Sequence, residues 1–137
     1  MYLTYQPEGS DEPQRWPYDP RKTFRAVERE MIERRSSMTY AEWSKAVLNG
    51  SSLARRVLLF MLLKREHPTT RYEDVDFAWD EVRLEYSRQE ITEMRGQLGE
   101  RFQGQDLLDA QAALDEEIAT AIDDEEWTGK VQPPIVA

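Results

Sequence analysis

The chain has 137 residues, of which 33% are charged, carries a formal net charge of −9 and contains no cysteine. A chain of this length can bury enough surface for one core, so a single domain is expected. The lack of cysteine excludes disulfides, thiolate metal sites and cysteine nucleophiles, and it is typical of proteins of a reducing cytoplasm. No basic stretch leads into an apolar run at the start, so a secretory signal peptide is not expected.

The charge is unevenly distributed along the chain. Residues 1–70 hold 12 Lys or Arg against 9 Asp or Glu, a net of +3, whereas residues 71–137 hold 6 against 18, a net of −12. An acidic second half disfavours non-specific binding to nucleic acid or anionic membranes, which requires clustered cations. Two interpretations remain open: solvated helix faces that keep the chain soluble, or a surface that meets a basic or aggregation-prone partner.

Residues 1–20 are predicted to form a β-hairpin. The segment Tyr2–Tyr5 is rich in β-forming residues, and residues 8–11 have the composition of a turn. Pro17 and Pro20 confine the second strand to a sheet edge. Because an isolated hairpin is marginally stable in water, we expect a third strand or a helix to cover it.

Residues 22–66 are predicted to be helical. The first helix, over residues 22–35, carries an apolar stripe at helical spacing that we expect to be buried. The members of this stripe are Phe24, Val27 and Met31, with Ile32 beside them. Thr39 and Glu42 form a capping-box pattern that opens a second, short helix, and Asn49-Gly50 is predicted to end it.

The third helix, which Ser51 or Ser52 is expected to cap, contains the longest apolar run of the chain, residues 57–63. Seven residues are far fewer than the ~20 that a membrane-spanning helix needs. A helix that is apolar all round must be buried. We therefore predict that this run forms the centre of the core, with the other segments packed around it.

The segment 72–86 fits two patterns. Its apolar residues match one helical stripe, but residues 82–86 also alternate as in a half-buried strand. We prefer a loop through Asp76 followed by a strand over residues 82–86 that pairs with the N-terminal hairpin. The alternative is a helix over the whole segment.

The remainder, residues 88–122, is predicted to be helical. Ser87 and Glu90 form a second capping-box pattern, and Gly96 and Gly99 weaken the helix that follows. A last helix carries a narrow apolar stripe whose members are Leu107, Leu114 and Ile118. Residues 123–137 are acidic and then rich in Gly and Pro, so we predict a disordered tail.

These elements predict an α+β fold that is predominantly helical. A small N-terminal hairpin and one further strand pack on a helical bundle, in a single domain over residues 1–122.

Residue types that could carry catalysis or bind a metal are not arranged in any known motif. His67 is the only histidine and lies at a helix end, where it is best explained as a cap. The acidic residues 74–81 lack the glycine and the terminal glutamate of a calcium loop. No phosphate-binding loop or nucleophile elbow is present. We therefore expect no enzyme activity, no catalytic or metal-binding residue and no cofactor.

The pairs Arg55-Arg56 and Lys64-Arg65 are compatible with a helix-turn-helix DNA reader. A recognition helix must leave one polar face free for base edges, and the apolar run between these pairs leaves little. Trp127 follows an acidic run in the predicted tail. It is a candidate anchor for a partner, because tryptophan often dominates small interfaces; a plain exposed tail is the alternative.

One long segment resembles a known family. The sequence TYAEWSKAVLNGSSLARRVLLFMLLKREHPTTRYEDVDF followed by VRLEYSRQE, together with the opening YQPEGSDEPQRW, resembles the tail assembly chaperones of long-tailed (siphovirus-type) bacteriophages. The resemblance covers most of residues 2–95. It implies a non-enzymatic protein of the host cytoplasm that binds the tape measure protein and keeps it soluble during tail tube assembly. It also implies the tail tube protein and a frameshifted longer form of the chain as partners, and it assigns no role to any residue.

The apolar stripes supply the candidate partner-binding residues. These are Phe24, Val27 and Met31 in the first half, Leu107, Leu114 and Ile118 in the second, and Trp127 in the tail. The narrow second stripe also allows self-association. Binding to nucleic acid or to a membrane is not expected. Two alternative functions remain: a structural head–tail joining or tail component of the virion, and a small DNA-binding or regulatory module.

Overall fold

A computed structural model describes residues 1–124 of the chain. Within them it contains five α-helices and a small three-stranded antiparallel sheet, which confirms the predicted α+β, mostly helical fold. The described residues group into two compact units: one comprises residues 2–84, and the other comprises residues 85–124 together with Met1. The single domain over residues 1–122 stays a prediction.

The sheet belongs, except for Glu85 at the end of its last strand, to the first unit and has the strand order β2-β1-β3. Its strands are β1 (Tyr2–Tyr5), β2 (Gln14–Pro17) and β3 (Val82–Glu85). Strand β1 runs antiparallel to β2, and Gln6 N–H donates to the Glu81 carbonyl at 2.8 Å beside β3. The preferred strand near residues 82–86 is therefore confirmed and the alternative helix is wrong. Two short 3-10 turns, Tyr72–Asp74 and Trp79–Glu81, occupy the preceding segment.

Three helices complete the first unit: α1 (Ala26–Ser36), α2 (Tyr40–Leu48) and α3 (Ser52–Glu66). Helix α1 begins four residues later than predicted, because the N–H groups of Lys22 and Thr23 both donate to the Asp19 carbonyl and close a turn there. Phe24 consequently lies before the helix rather than on it.

The predicted caps are formed, with one difference. The Glu42 N–H donates to the Thr39 hydroxyl oxygen at 3.2 Å, but the Glu42 carboxylate accepts from that hydroxyl and not from the Thr39 N–H. The first box is therefore half formed. Gly50 has a φ of +85°, as the turn between α2 and α3 requires, and Ser51 caps α3.

The core of the first unit is centred on α3, as predicted. Residues 57–62 are all buried and Leu63 is half-buried. Beside them lies a cluster of four aromatic rings, with centroids of contacting pairs 5.4 to 6.4 Å apart. Its members are Tyr18, Phe24, Tyr40 and Trp43. Trp43 Nε1–H donates to the Ala54 carbonyl at 3.1 Å, which satisfies the one polar atom of its buried ring system.

The second unit is a helical hairpin made of α4 (Arg88–Gln97) and α5 (Gly104–Thr120). The capping box at its start is complete: Glu90 N–H donates to Ser87 Oγ at 3.1 Å, and Ser87 N–H donates to Glu90 Oε1 at 3.0 Å. A short 3-10 turn over Leu98–Glu100 follows α4, in the region that Gly96 and Gly99 were predicted to weaken.

No single helix among the described residues is long and apolar enough to cross a membrane. Helices α2 and α3 pass such a test on length and composition only when taken together, and they are bent by 104° at their junction.

Candidate partner-binding site

The α4–α5 hairpin buries very little of its apolar surface. Within residues 85–124 only Ile91 and Ser87 are buried, and no residue of α5 is. Two helices that contact each other cannot enclose a core on their own, because each leaves the outer edge of its apolar face uncovered. This hairpin therefore presents an incompletely covered apolar surface.

The half-buried positions of α5 form one stripe along the helix. They are Leu107, Ala110, Gln111, Leu114 and Ile118, whereas every other residue of α5 is exposed. Since α4 packs against α5, this stripe must face α4. On the α4 side of this contact lie Ile91 and Met94, together with Leu98, which directly follows the helix. We call the six residues Ile91, Met94, Leu98, Leu107, Leu114 and Ile118 the seam.

Polar contacts hold the two helices of the hairpin together. At its open end, Arg88 N–H donates to the Ile122 carbonyl at 2.7 Å, and the Arg88 guanidinium reaches the Ile118 carbonyl and the Asp123 carboxylate, both at 3.2 Å. Midway along, Arg95 makes two bonds to the Asp115 carboxylate, of 2.7 and 3.3 Å. These contacts hold α4 against α5 at the open end and midway along the hairpin.

Two large apolar side chains near the closed end of the hairpin extend the seam towards solvent. Phe102 is 40% exposed and Leu108 is 58% exposed. Leu108 lies on α5 next to Leu107, about 100° further round the helix. The apolar surface of α5 therefore continues from the seam onto an open side.

The hairpin is strongly acidic. Residues 88–124 contain three arginines against ten carboxylates, a net charge of −7. Helix α5 contains five carboxylates and neither lysine nor arginine. Two of the three arginines, Arg88 and Arg95, are already paired with carboxylates of the same unit. The apolar surface is consequently bordered by an excess of negative charge.

The candidate residues of the first unit do not share one face, which corrects the predicted stripe. Phe24 is buried in the aromatic cluster, Val27 is 74% exposed and Met31 is half-buried. Helix α1 instead buries Ile32 and Ser36. The buried row of α1, which includes Ile32, is shifted by one residue from the predicted row, which includes Met31; this corresponds to a rotation of about 100° round the helix. The late start of α1 removes Phe24 from the helix and, with it, the residue that set the predicted register.

The structure brings Leu107, Leu114 and Ile118 together on the seam. It gives no placement for the last candidate, because Trp127 lies outside the described residues. The predicted disorder of residues 123–137 likewise falls outside them from residue 125 onwards.

A second exposed apolar surface, which sequence patterns did not indicate, lies at the α2–α3 corner. Leu48, Leu53 and Trp79 are all exposed there, Trp79 by 66%. The Trp79 ring covers the Gly50 backbone so closely that a Cβ placed on Gly50 would lie 2.7 Å from Trp79 Cη2. The contact joins residues 29 positions apart through an irregular loop, so no periodicity could have predicted it.

A small cleft of about 130 Å³ adjoins this corner, and Arg55 and Arg56 line it. The Arg55 Nε–H donates to the Val47 carbonyl at 3.0 Å, and partial burial lowers the pKa of Arg55. The Arg56 guanidinium donates to the carbonyls of Val75 and Tyr72 at 2.6 and 3.0 Å. Arg55 and Arg56, the pair that was compatible with a helix-turn-helix DNA-binding motif, therefore have a structural role here. Arg56 attaches the 72–75 segment to α3, and Arg55 covers the end of α2.

Within residues 1–124 no group of three or more acidic or histidine side chains is positioned to hold a metal ion. Comparison with protein-family models, with curated proteins and with solved structures gives no match for this chain.

Proposed function

We propose that this chain is a non-enzymatic tail assembly chaperone of a long-tailed bacteriophage, which binds the tape measure protein in the host cytoplasm and keeps it soluble while the tail tube assembles. The resemblance over residues 2–95 supplies the family. The observation that supports a binding role is the seam, an apolar surface of the α4–α5 hairpin that the described chain covers only in part.

The geometry of the seam suits a helical partner. Two antiparallel helices with a half-open apolar face become a three-helix bundle when a third amphipathic helix is laid along them. A tape measure protein is long and helical and exposes apolar stripes before the tube forms around it. Met94 in the seam adds an unbranched, adaptable side chain that can adjust to different partner residues.

The charge of the hairpin suits a chaperone that must keep its complex in solution. The carboxylates of α5 are all exposed, so they stay hydrated when the apolar face is covered. Like charge on neighbouring complexes opposes their aggregation. The tail tube protein and a frameshifted longer form of the chain are further proposed partners.

The test is co-expression of the full chain with the tape measure protein encoded beside it. We expect the tape measure protein to be soluble and to co-purify with the chain, but to be insoluble when it is expressed alone. Leu114→Gln, in the seam, should abolish the rescue, whereas Ala113→Gln, on the exposed side of the same helix, should preserve it. Circular dichroism of each variant establishes that it is folded.

A tape measure protein that stays insoluble beside the wild-type chain would contradict the proposal. The protein content of purified virions separates the chaperone from a structural component. A chaperone is absent from the finished particle, whereas a head–tail joining protein is present in stoichiometric amounts.

A further inference from the structure

The cleft beside the α2–α3 corner combines positive charge with an exposed aromatic ring. We propose that this cleft binds a segment of another protein in which a Glu or Asp lies next to a large apolar residue. The carboxylate of that segment enters the cleft, and its apolar side chain packs on the ring of Trp79. The cleft belongs to the first unit, so this proposal goes beyond the binding role of the seam.

The apolar part of the surface is the Trp79 ring. This side chain is 66% exposed, although tryptophan is largely buried on average. One edge of the ring covers Gly50, and the guanidinium carbon of Arg55 lies over the ring, 5.3 Å from its centroid. These contacts hold the ring in place, and the rest of its surface is open to a partner. Exposed aromatic side chains of this size often dominate small interfaces.

The cleft next to this ring has room for one side chain. Its volume of about 130 Å³ is well above the 10–15 Å³ or so that one water molecule needs. It is also well below the roughly 300 Å³ at which small-molecule sites begin. Besides Trp79, the residues that line it include Phe77, Arg55, Arg56 and Asp76. A single side chain of a peptide therefore fits the cleft better than a cofactor does.

The two arginines of the cleft keep their positive charge. The Arg55 Nε–H donates to the Val47 carbonyl at 3.0 Å. The Arg56 guanidinium donates to the carbonyls of Val75 and Tyr72. These acceptors are neutral, and among residues 1–124 neither guanidinium forms an ion pair with a carboxylate. A carboxylate supplied by a partner gains an attraction that the described part of the chain does not provide.

Partial burial makes that attraction stronger for Arg55. Burial removes part of the water around its guanidinium, which lowers the pKa of Arg55. A charge that has already lost water loses less when a partner covers it. The interaction is also screened less by salt than one between fully exposed groups.

The negative charge of the cleft is smaller than its positive charge. Asp76 is the one acidic residue among those that line it, and its Oδ1 accepts from the Phe77 N–H at 2.9 Å. Two guanidinium charges and one carboxylate charge give the lining a net charge of +1. Asp80, which follows Trp79, is exposed and does not line the cleft. The cleft therefore favours an anionic side chain over a cationic one.

The experiment measures binding of three fluorescent peptides to the full chain by anisotropy. The peptides share one leucine-containing sequence and differ only in the residues on either side of the leucine, which are Glu, Gln or Lys. We expect the Glu peptide to bind about fivefold more tightly than the Gln peptide at low salt, and the Lys peptide to bind more weakly than both. The preference for the Glu peptide should shrink as salt is raised.

Variants of the cleft test its charge and its ring separately. Arg55→Gln should remove the preference for the Glu peptide, whereas Arg21→Gln, at an exposed position before α1, should leave it unchanged. Asp76→Asn keeps the acceptor for the Phe77 N–H and should increase the preference. Trp79→Ala should weaken binding of all three peptides. Circular dichroism establishes that each variant is folded, and Asp76→Asn decides the question of charge if Arg55→Gln does not fold.

A control separates this proposal from the proposed function. Leu114→Gln, in the seam, should leave binding of the three peptides unchanged. Loss of peptide binding in that variant would overturn the assignment to the cleft. Rescue of the tape measure protein without any preference among the peptides would refute this proposal and leave the proposed function standing.

Equal binding of the three peptides, or a preference for the Glu peptide that survives in folded Arg55→Gln, would also overturn the proposal. The chain carries a competing sequence of the same chemistry, Glu126-Trp127, outside the described residues. Glu126→Gln with Trp127→Ala should not alter binding of the Glu peptide; tighter binding would assign the cleft to the chain's own segment. A dimer by sedimentation equilibrium that the Glu peptide dissociates would assign the cleft to a second copy of the chain. Either result would refute a partner as the occupant.

Discussion

The two units of the chain bury very different amounts of apolar surface. Among residues 1–124, all the buried apolar residues but one belong to residues 2–84, where α3 and the aromatic cluster form a dense core. The exception is Ile91 in the α4–α5 hairpin. The hairpin is held by the half-buried seam, the Arg88 contacts and the Arg95–Asp115 pair. A unit built on packing is rigid, whereas one built on caps and ion pairs opens more easily and keeps its apolar surface available.

The largest effect should follow from removing the centre of the aromatic cluster. Trp43→Ala deletes a fully buried ring and its bond to the Ala54 carbonyl, and should lower the free energy of unfolding by about 3–5 kcal/mol. Phe102→Ala, at the exposed end of the hairpin, should cost less than about 1 kcal/mol. Urea unfolding of both variants measures the difference. Equal losses would show that the two units do not differ in packing as described.

A smaller effect is expected at the α2–α3 corner. Gly50→Ala places a Cβ at a φ of +85° and 2.7 Å from Trp79 Cη2, and should cost about 1–2 kcal/mol. The double variant Gly50→Ala with Trp79→Ala should recover the steric part of this cost but not the backbone part. Thermal unfolding of the two single variants and the double variant separates the two contributions. A double variant no more stable than Gly50→Ala alone would rule out the steric part.

Loss of a helix cap tests how strongly each unit depends on local contacts. Ser87→Ala removes the capping box of α4 and should destabilise it by about 1 kcal/mol. Because the hairpin has little core to compensate, amide hydrogen exchange should speed up throughout α4. Thr39→Ala removes the hydroxyl cap of α2, which is anchored by Trp43 and Val47, so its effect should stay within the first turn. If exchange speeds up over the whole of α2 as well as α4, the two units do not differ in their dependence on local contacts.

The smallest effect concerns pH. Partial burial of Glu28 favours its neutral form, but hydrogen bonds from the Arg65 guanidinium and the Arg25 N–H outweigh this and lower the pKa of the Glu28 carboxyl. A lowered pKa in the folded state adds stability above the pKa of the unfolded chain, and that stability is lost as the pH falls through the folded value. Glu28→Gln should therefore be less stable than wild type at pH 7, by at most about 1 kcal/mol after solvent screening.

The difference between Glu28→Gln and wild type should shrink as the pH falls through the lowered pKa of the folded Glu28 carboxyl, because that carboxyl then becomes neutral like the Gln side chain. Urea midpoints at pH 7, 5 and 3 measure it. The exposed Glu30, whose nearest cation in α1 is Arg34 at 3.8 Å, provides the control: Glu30→Gln should show little difference at any of these pH values. A loss of stability in Glu28→Gln that is the same at every pH would mean that the loss does not come from the charge of Glu28.

Local signals in the sequence predicted much of the fold. The caps at Thr39, Ser51 and Ser87, the apolar run of α3 and the alternation before β3 each depend on neighbouring residues only, so they could be read without the structure. The predicted α1 stripe failed in part because the Asp19 turn, held by backbone bonds and by the Asp19 and Thr23 side chains, delays the start of the helix. The face of α1 that is buried depends on its packing against α2 and α3, which the spacing of apolar residues does not describe.

Periodicity likewise predicted one part of the candidate site and missed another. The stripe of Leu107, Leu114 and Ile118 follows from helical periodicity alone. How much of that stripe α4 leaves uncovered depends on tertiary packing, which periodicity does not describe. The Trp79–Gly50 contact is likewise tertiary, and Trp79 belongs to a residue type that is more often buried than exposed.

The contacts of Arg88 also determine where the rest of the chain starts. They bring Asp123 back beside the beginning of α4, at the end of the hairpin opposite to Phe102. The point at which residue 125 joins the hairpin is thus about one length of α5, roughly 25 Å, from its closed end. Phe102 and Leu108 lie near that closed end, so the two most exposed apolar side chains of the hairpin are far from the point where the chain leaves it.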